Sequence, residues 1–148
     1  MNYDNEINIY NNHNKLMIEK YIRGRELTVT VYENEKTTEA VEVTEIFCAR
    51  SFFDYKAKYT KGFSKHILPA KLPKKMYKQC LSFAKTVHDI LRCKGISRSD
   101  FIYDEKNIYF LEINSQPGLT PISLVPEQLS HKNIDFDTII RRIIESSL

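Results

Sequence analysis

The chain has 148 residues, of which 42% are hydrophobic and 28% charged, and carries a net charge of +3. That composition suits one soluble domain with a sizeable core, and a mild charge spread along the chain gives no nucleic-acid-binding footprint, though a small phosphate-bearing ligand stays compatible. No signal peptide and no membrane span is expected. Cys48, Cys80 and Cys93 form no CxxC pair, and with His88 they have no zinc-finger spacing, so they read as reduced thiols in a cytosolic protein.

Residues 1–14 are rich in Asn and acidic side chains and show no period, so the domain is expected to run over 15–148. Lys15 to Ile22 reads as a strand, Arg23-Gly24-Arg25 as punctuation, Glu26 to Tyr32 as a second strand and about Ala40 to Phe47 as a third. Together they predict an antiparallel sheet. Ser51 to Ala70 is long, basic and aromatic without a helical stripe, as expected of a functional loop or lid; alone, such a loop suits RNA or an acidic partner equally. His66 is assigned a packing role within it. Leu72-Pro73 opens a helix whose stripe is Met76, Cys80, Phe83, Ala84, Val87, Ile90 and Leu91, with Gly95 at its end and a structural His88 beside it. After Pro117-Gly118, the run Ile122 to Pro126 leads into a short helix. Asp135 caps a last amphipathic helix bearing Phe136, Ile139, Ile140, Ile143 and Ile144.

Between those helices, Ser97 to Asp104 and Ile108 to Asn114 are alternating runs around Glu105-Lys106-Asn107, the pattern of a β-hairpin. A turn centred on Lys106 sets Asp100 opposite Glu112, Arg98 opposite Asn114 and Ile102 opposite Phe110. These six would share one face, with Phe101, Tyr103, Tyr109, Leu111 and Ile113 on the other. Two opposed carboxylates repel, which is a cost for a purely structural hairpin. The spacing leaves two readings open. Either the acidic residues face water, or Asp, Glu and Asn oxygens hold a hard cation such as Mg²⁺, with Arg98 beside it suited to phosphate.

Ser97-Arg98-Ser99-Asp100-Phe101, then Leu111-Glu112-Ile113-Asn114-Ser115-Gln116-Pro117-Gly118-Leu119-Thr120, then Ser123-Leu124-Val125-Pro126 closely resemble the C-terminal end of bacterial D-alanine–D-alanine ligases. That resemblance implies an α+β fold: an antiparallel β-sheet flanked by helices, the C-terminal part of an ATP-grasp fold. It implies that Asp100 and Glu112 hold one Mg²⁺ (or Mn²⁺) and that Glu112 and Asn114 hold a second. Arg98 and the backbone N–H of Gly118 would stabilise the oxygens of the tetrahedral intermediate. Ser123 and Leu124, with Lys58, would receive the carboxylate of the second D-alanine. Glu19-Lys20-Tyr21-Ile22 resembles the adenine-binding segment, where the backbone at Lys20 and Ile22 reads the base and Glu19 accepts from its amine. Glu26 would accept from the ribose. The 51–70 stretch resembles the omega loop: Lys58 meets the transferred phosphate, and Tyr59 fastens the closed loop. Phe53 stands where many members have tyrosine.

The implied function is ATP- and Mg²⁺-dependent ligation of two D-alanines through an acyl phosphate, in the bacterial cytoplasm, for peptidoglycan. Two alternatives stay open: another ATP-grasp carboxylate–amine ligase, and a non-catalytic nucleotide-binding remnant. The resemblance covers only the last part of the family pattern. The family's N-terminal domain and its glycine-rich-loop subdomain have no counterpart here, and the chain has four glycines in all. The expected partners are ATP, D-alanine, a separate polypeptide bearing those domains and a second copy in a homodimer, with no nucleic acid or membrane.

Overall fold

The computed structural model describes residues 18–33, 37–48 and 64–145. Five strands form one antiparallel sheet: β1 (Arg25–Glu33), β2 (Thr38–Cys48), β3 (Ser64–Ile67), β4 (Ile96–Tyr103) and β5 (Ile108–Asn114). Their order across the sheet is β3-β2-β1-β4-β5. Three helices complete the α+β fold: α1 (Lys74–Ile90), α2 (Leu124–His131) and α3 (Phe136–Glu145). Among the described residues no helix is long and apolar enough to cross a membrane.

β1 is the middle strand, and its side chains are buried on both faces. Leu27, Val29 and Val31 point to one face, where Val43, Phe101 and Tyr103 join them under Cys80 and Ala84 of α1. This apolar face is what the β-branched alternation of β1 predicts. The stripe of α1 is rotated from the expected one. Cys80, Ala84 and His88 are its buried residues, while Phe83, Ile90 and Leu91 are exposed. Burial holds the Cys80 thiol up, to about 12, and lowers the pKa of the His88 imidazole. His88 Nδ1 is 2.7 Å from Ser97 Oγ, so this histidine fastens α1 to β4, as a structural role requires.

The opposite face divides in two. At one end Tyr32, Val41 and Ile96 pack under Val125 and Leu129 of α2 and Ile139 of α3. Asp135 accepts from the N–H and the hydroxyl of Thr138 at 3.0 and 2.6 Å, which fixes the start of α3 as its cap position predicts. Toward the middle of the face the buried side chains are polar: Thr28, Thr30 and Thr44 are fully enclosed. The β1–β2 register shifts between Val29 and Val31, so Thr30 has no partner in the β2 ladder. Gln128 of α2 fills that gap. Its Oε1 accepts from the Thr30 N–H at 2.9 Å, and its Nε2 donates to the Thr28 carbonyl at 3.2 Å and Thr44 Oγ1 at 2.9 Å.

Two strand expectations need correction. Residues 18–23 are irregular and not a strand; no neighbouring strand satisfies their backbone groups among the described residues. In the hairpin, Ile102 faces Tyr109, not Phe110. Asp104 Oδ1 accepts from the N–H groups of Lys106 and Asn107 at 2.9 and 2.6 Å, so the turn closes between residues 105 and 106. A bulge at Leu111 then restores the register. Phe110 therefore joins Phe101 on the core face, their rings edge-on with centroids 5.8 Å apart.

Gln128 satisfies buried backbone groups that water cannot reach. Replacing it with leucine should cost about 2–4 kcal/mol, because each orphaned buried polar group carries its own desolvation penalty. Urea unfolding of Gln128→Leu should show a lower midpoint with an unchanged slope. A loss under about 0.5 kcal/mol would contradict this role.

Candidate functional site

The polar middle of the second face continues across β4 and β5. Arg98 pairs with Asn114 and Asp100 with Glu112 in the antiparallel register, so all four lie on this face beside Thr28, as the sequence pattern predicts. Glu26, two residues before Thr28, shares that face and also pairs with Ile102. The side chains of Arg98 and Asp100 keep 16% and 21% of their exposure, and Glu112 is open to solvent. The row is thus anchored at its β4 side and accessible at its β5 side.

Asp100 is the most constrained member. Arg98 Nε donates to Oδ1 at 3.0 Å and Nη2 to Oδ2 at 2.9 Å, a two-point contact between residues i and i+2 of one strand. The Thr28 hydroxyl donates to Oδ1 at 2.6 Å. Glu112 stands across the ladder with a second negative charge. Asn114 Oδ1 accepts from the Gln116 N–H at 2.9 Å, which turns the chain out of β5 into the loop of residues 115–123.

That loop brings the next predicted residues together. A Cβ on Gly118 would lie 2.8 Å from Ser123 Oγ, so a side chain there would have to displace the serine hydroxyl. Ser123 Oγ is 2.8 Å from Thr120 Oγ1 and the Ser123 N–H donates to the Thr120 carbonyl at 2.8 Å, closing the turn before α2. Ser123 is the N-cap residue of α2 and Leu124 its first residue.

Other expected residues fall elsewhere. Glu19, Lys20 and Tyr21 are exposed and Ile22 half-buried, in the irregular stretch leading to β1. At its end Gly24 lies against β4: a Cβ there would be 2.5 Å from the Tyr103 carbonyl oxygen and 2.6 Å from Ile102 Cγ2. Lys58, Tyr59 and Phe53 lie outside the described residues. His66 is on β3 and not in a loop; its Nδ1 is 2.8 Å from Glu127 Oε2, joining the edge strand to α2.

Thr28 and Gln128 are the members of this assembly that sequence reading misses. Their signals exist, in the Leu-Thr-Val-Thr-Val alternation that puts threonines on one buried face, and in a glutamine between Val125 and Leu129 on an apolar helix stripe.

Among the described residues no group of three or more His, Cys, Asp or Glu side chains is placed to hold a metal. The set Asp100, Glu112 and Asn114 is of another kind, two carboxylates and an amide. Its donors are all oxygen, which fits a hard divalent cation and disfavours zinc.

The family model described as D-ala D-ala ligase C-terminus matches residues 5–145. The D-alanine–D-alanine ligase of Zymomonas mobilis is 42% identical over 147 residues, which are 97% of this chain and 44% of that one. The D-alanyl-alanine synthetase A structure from Vibrio cholerae superimposes with a TM-score of 0.73 at 28% identity, covering 86% of this chain and 40% of that one. The ATP complex of the Bacillus anthracis D-alanine–D-alanine ligase gives 0.67 at 27% identity, covering 87% and 41%. The chain thus spans less than half the length of the curated relatives it matches. With this sequence match over residues 5–145 and the shared fold of its five-stranded sheet, the chain belongs to the D-alanine–D-alanine ligase C-terminal family, of the ATP-grasp fold.

Proposed function

We propose that this chain supplies the cation-binding and acceptor-side portion of an ATP-dependent D-alanine–D-alanine ligase acting in the bacterial cytoplasm. The observation that carries the reading is the opposition of Asp100 and Glu112 across the β4–β5 ladder, with Arg98 and Asn114 as the adjacent pair. Opposed carboxylates repel; the Arg98 guanidinium offsets the charge of Asp100, and a divalent ion between the two strands would offset that of Glu112 as well. Asp100 and Glu112 would hold one Mg²⁺, and Glu112 and Asn114 a second. An ion held by these residues would supply charge neutralisation for the ATP phosphates.

The chain's own residues then divide the remaining work. Arg98 places a permanent positive charge beside the cation site, suited to the oxygens of a tetrahedral intermediate. Gly118 comes close to Ser123, so a backbone N–H donor and the carboxylate-receiving end of α2 belong to one loop. The N-terminus of α2, at Ser123 and Leu124, is favourable for the carboxylate of the second D-alanine. Glu19, Lys20, Tyr21 and Ile22 would border adenine and Glu26 the ribose, with Lys58 reaching the phosphate and Tyr59 holding its loop. Ligation also requires the first D-alanine and the phosphates to be held in near-attack geometry. In the relatives the matched region is less than half of the chain. We therefore assign that positioning to a separate domain or polypeptide.

Two outcomes are expected. Mn²⁺ at roughly a 100-fold excess over its dissociation constant should stabilise the folded chain by about 2.7 kcal/mol, seen as a higher thermal midpoint. Glu112→Gln should remove most of that rise, and a midpoint indifferent to millimolar Mn²⁺, with and without ATP, would contradict the cation site. The 148-residue chain assayed by itself should release no phosphate in response to D-alanine, and a second polypeptide carrying the rest of a relative's sequence should restore release. Robust turnover by the chain alone would overturn the division of labour.

A further inference from the structure

The carboxylate of Asp100 has about four lone-pair positions, two on each oxygen. Three are occupied. Oδ1 accepts from Thr28 Oγ1 at 2.6 Å and from Arg98 Nε at 3.0 Å, and Oδ2 accepts from Arg98 Nη2 at 2.9 Å. Oδ1 is saturated, and one position on Oδ2 is left.

Thr28 has only this use for its hydroxyl. The side chain is fully buried on the second face of the sheet, and its other acceptor within reach, the Ser99 carbonyl, is 3.4 Å away. One hydroxyl proton serves one good bond, and the carboxylate at 2.6 Å takes it. The backbone carrying Thr28 is itself held: Gln128 donates to the Thr28 carbonyl and accepts from the Thr30 N–H, bridging the β1 irregularity. Gln128 sits one helical turn from Leu124 on α2, so the helix that begins at the proposed acceptor subsite also fixes the strand beneath the proposed cation ligand.

We propose that Thr28 is a positioning residue for the cation site, its hydroxyl locking Asp100 so that the free lone pair of Oδ2 faces the incoming divalent ion. The proposal rests on the cation-site reading given above. Outer-shell donors act on metals this way: they fix the rotamer and the basicity of a ligand that would otherwise pay to be ordered on binding. Without the Thr28 hydroxyl, Asp100 keeps its two-point contact with Arg98. The carboxylate can then rotate with that arginine, and Oδ1 competes with Oδ2 for the ion.

The test is Mn²⁺ binding to the full chain, followed by electron paramagnetic resonance of the free ion, with ATP present and absent. Thr28→Val has nearly the same shape and lacks the donor, so its Mn²⁺ affinity should fall about tenfold. Thr28→Ser keeps the donor and should stay within about threefold of the native chain. Circular dichroism checks that each variant is folded. Where Thr28→Val does not fold, Thr28→Ala, which adds no atoms to the interior, carries the same expectation. Native binding with equal affinity in the valine or alanine variant would overturn the proposal and leave the cation site standing. Failure of the native chain to bind Mn²⁺ at all would overturn the cation-site reading itself, and this proposal with it. A serine variant as weak as the valine variant would show that packing, and not the hydroxyl, is what matters at position 28.

Discussion

A half-buried carboxylate has to be given donors, and the placement of Asp100 governs the working face of this domain. Its oxygens take donors from β1 through Thr28 and from its own strand through Arg98. That demand accounts for a threonine at position 28 of a central strand buried on both sides. Threonine keeps the β-branched shape a strand favours while supplying a hydroxyl where valine could supply nothing. Once the face is polar, the helix lying on it must be polar at the point of contact, and Gln128 meets that need between Val125 and Leu129. One polar chain therefore runs from α2 through β1 to Asp100 on β4. Thr30 Oγ1 is buried on the same face without a hydrogen-bond partner among the described residues, so the bonds from Gln128 to Thr28 and from Thr28 to Asp100 carry what this polar chain contributes.

The two faces differ in character. Under α1 the sheet is closed by Leu27, Val29, Val43 and Phe101 in ordinary apolar packing. On the other face α2 and α3 cover one end only, and the strip running through Thr28, Asp100 and Glu112 reaches solvent at the β5 edge. Loop 115–123 joins the two regions. The Ser123 N–H donating to the Thr120 carbonyl folds that loop into the start of α2.

Alternation and turn chemistry made most of this legible in advance. The pairing of Asp100 with Glu112 and of Arg98 with Asn114 follows from the spacing of two polar rows about a short turn, and the helix caps follow from Pro73 and Asp135. What escaped has physical causes. Asp104 tightens the turn and shifts its centre by half a residue, and the bulge at Leu111 compensates, so Phe110 changes face with no sign in the alternation. The buried row of α1 is set by how the helix rolls on the sheet, which selects His88 over Ile90. Residues 18–23 carry a strand-like pattern, but a strand needs a neighbour, and pattern alone does not supply one. The roles of Thr28 and Gln128 are contacts between residues 72 to 100 positions apart, beyond the reach of any local reading.

If the opposed carboxylates of β4 and β5 form a cation site of their own, a bound ion lies next to Asp100 and Glu112. Residue-resolved amide NMR of the chain titrated with substoichiometric Mn²⁺ tests it most directly, since paramagnetic broadening falls steeply with distance from the ion. The signals of Asp100, Glu112, Asn114 and the neighbouring residues of β1 should disappear first, with those of α1 on the opposite face persisting. Broadening that begins elsewhere, or spreads evenly over the acidic surface, would contradict it.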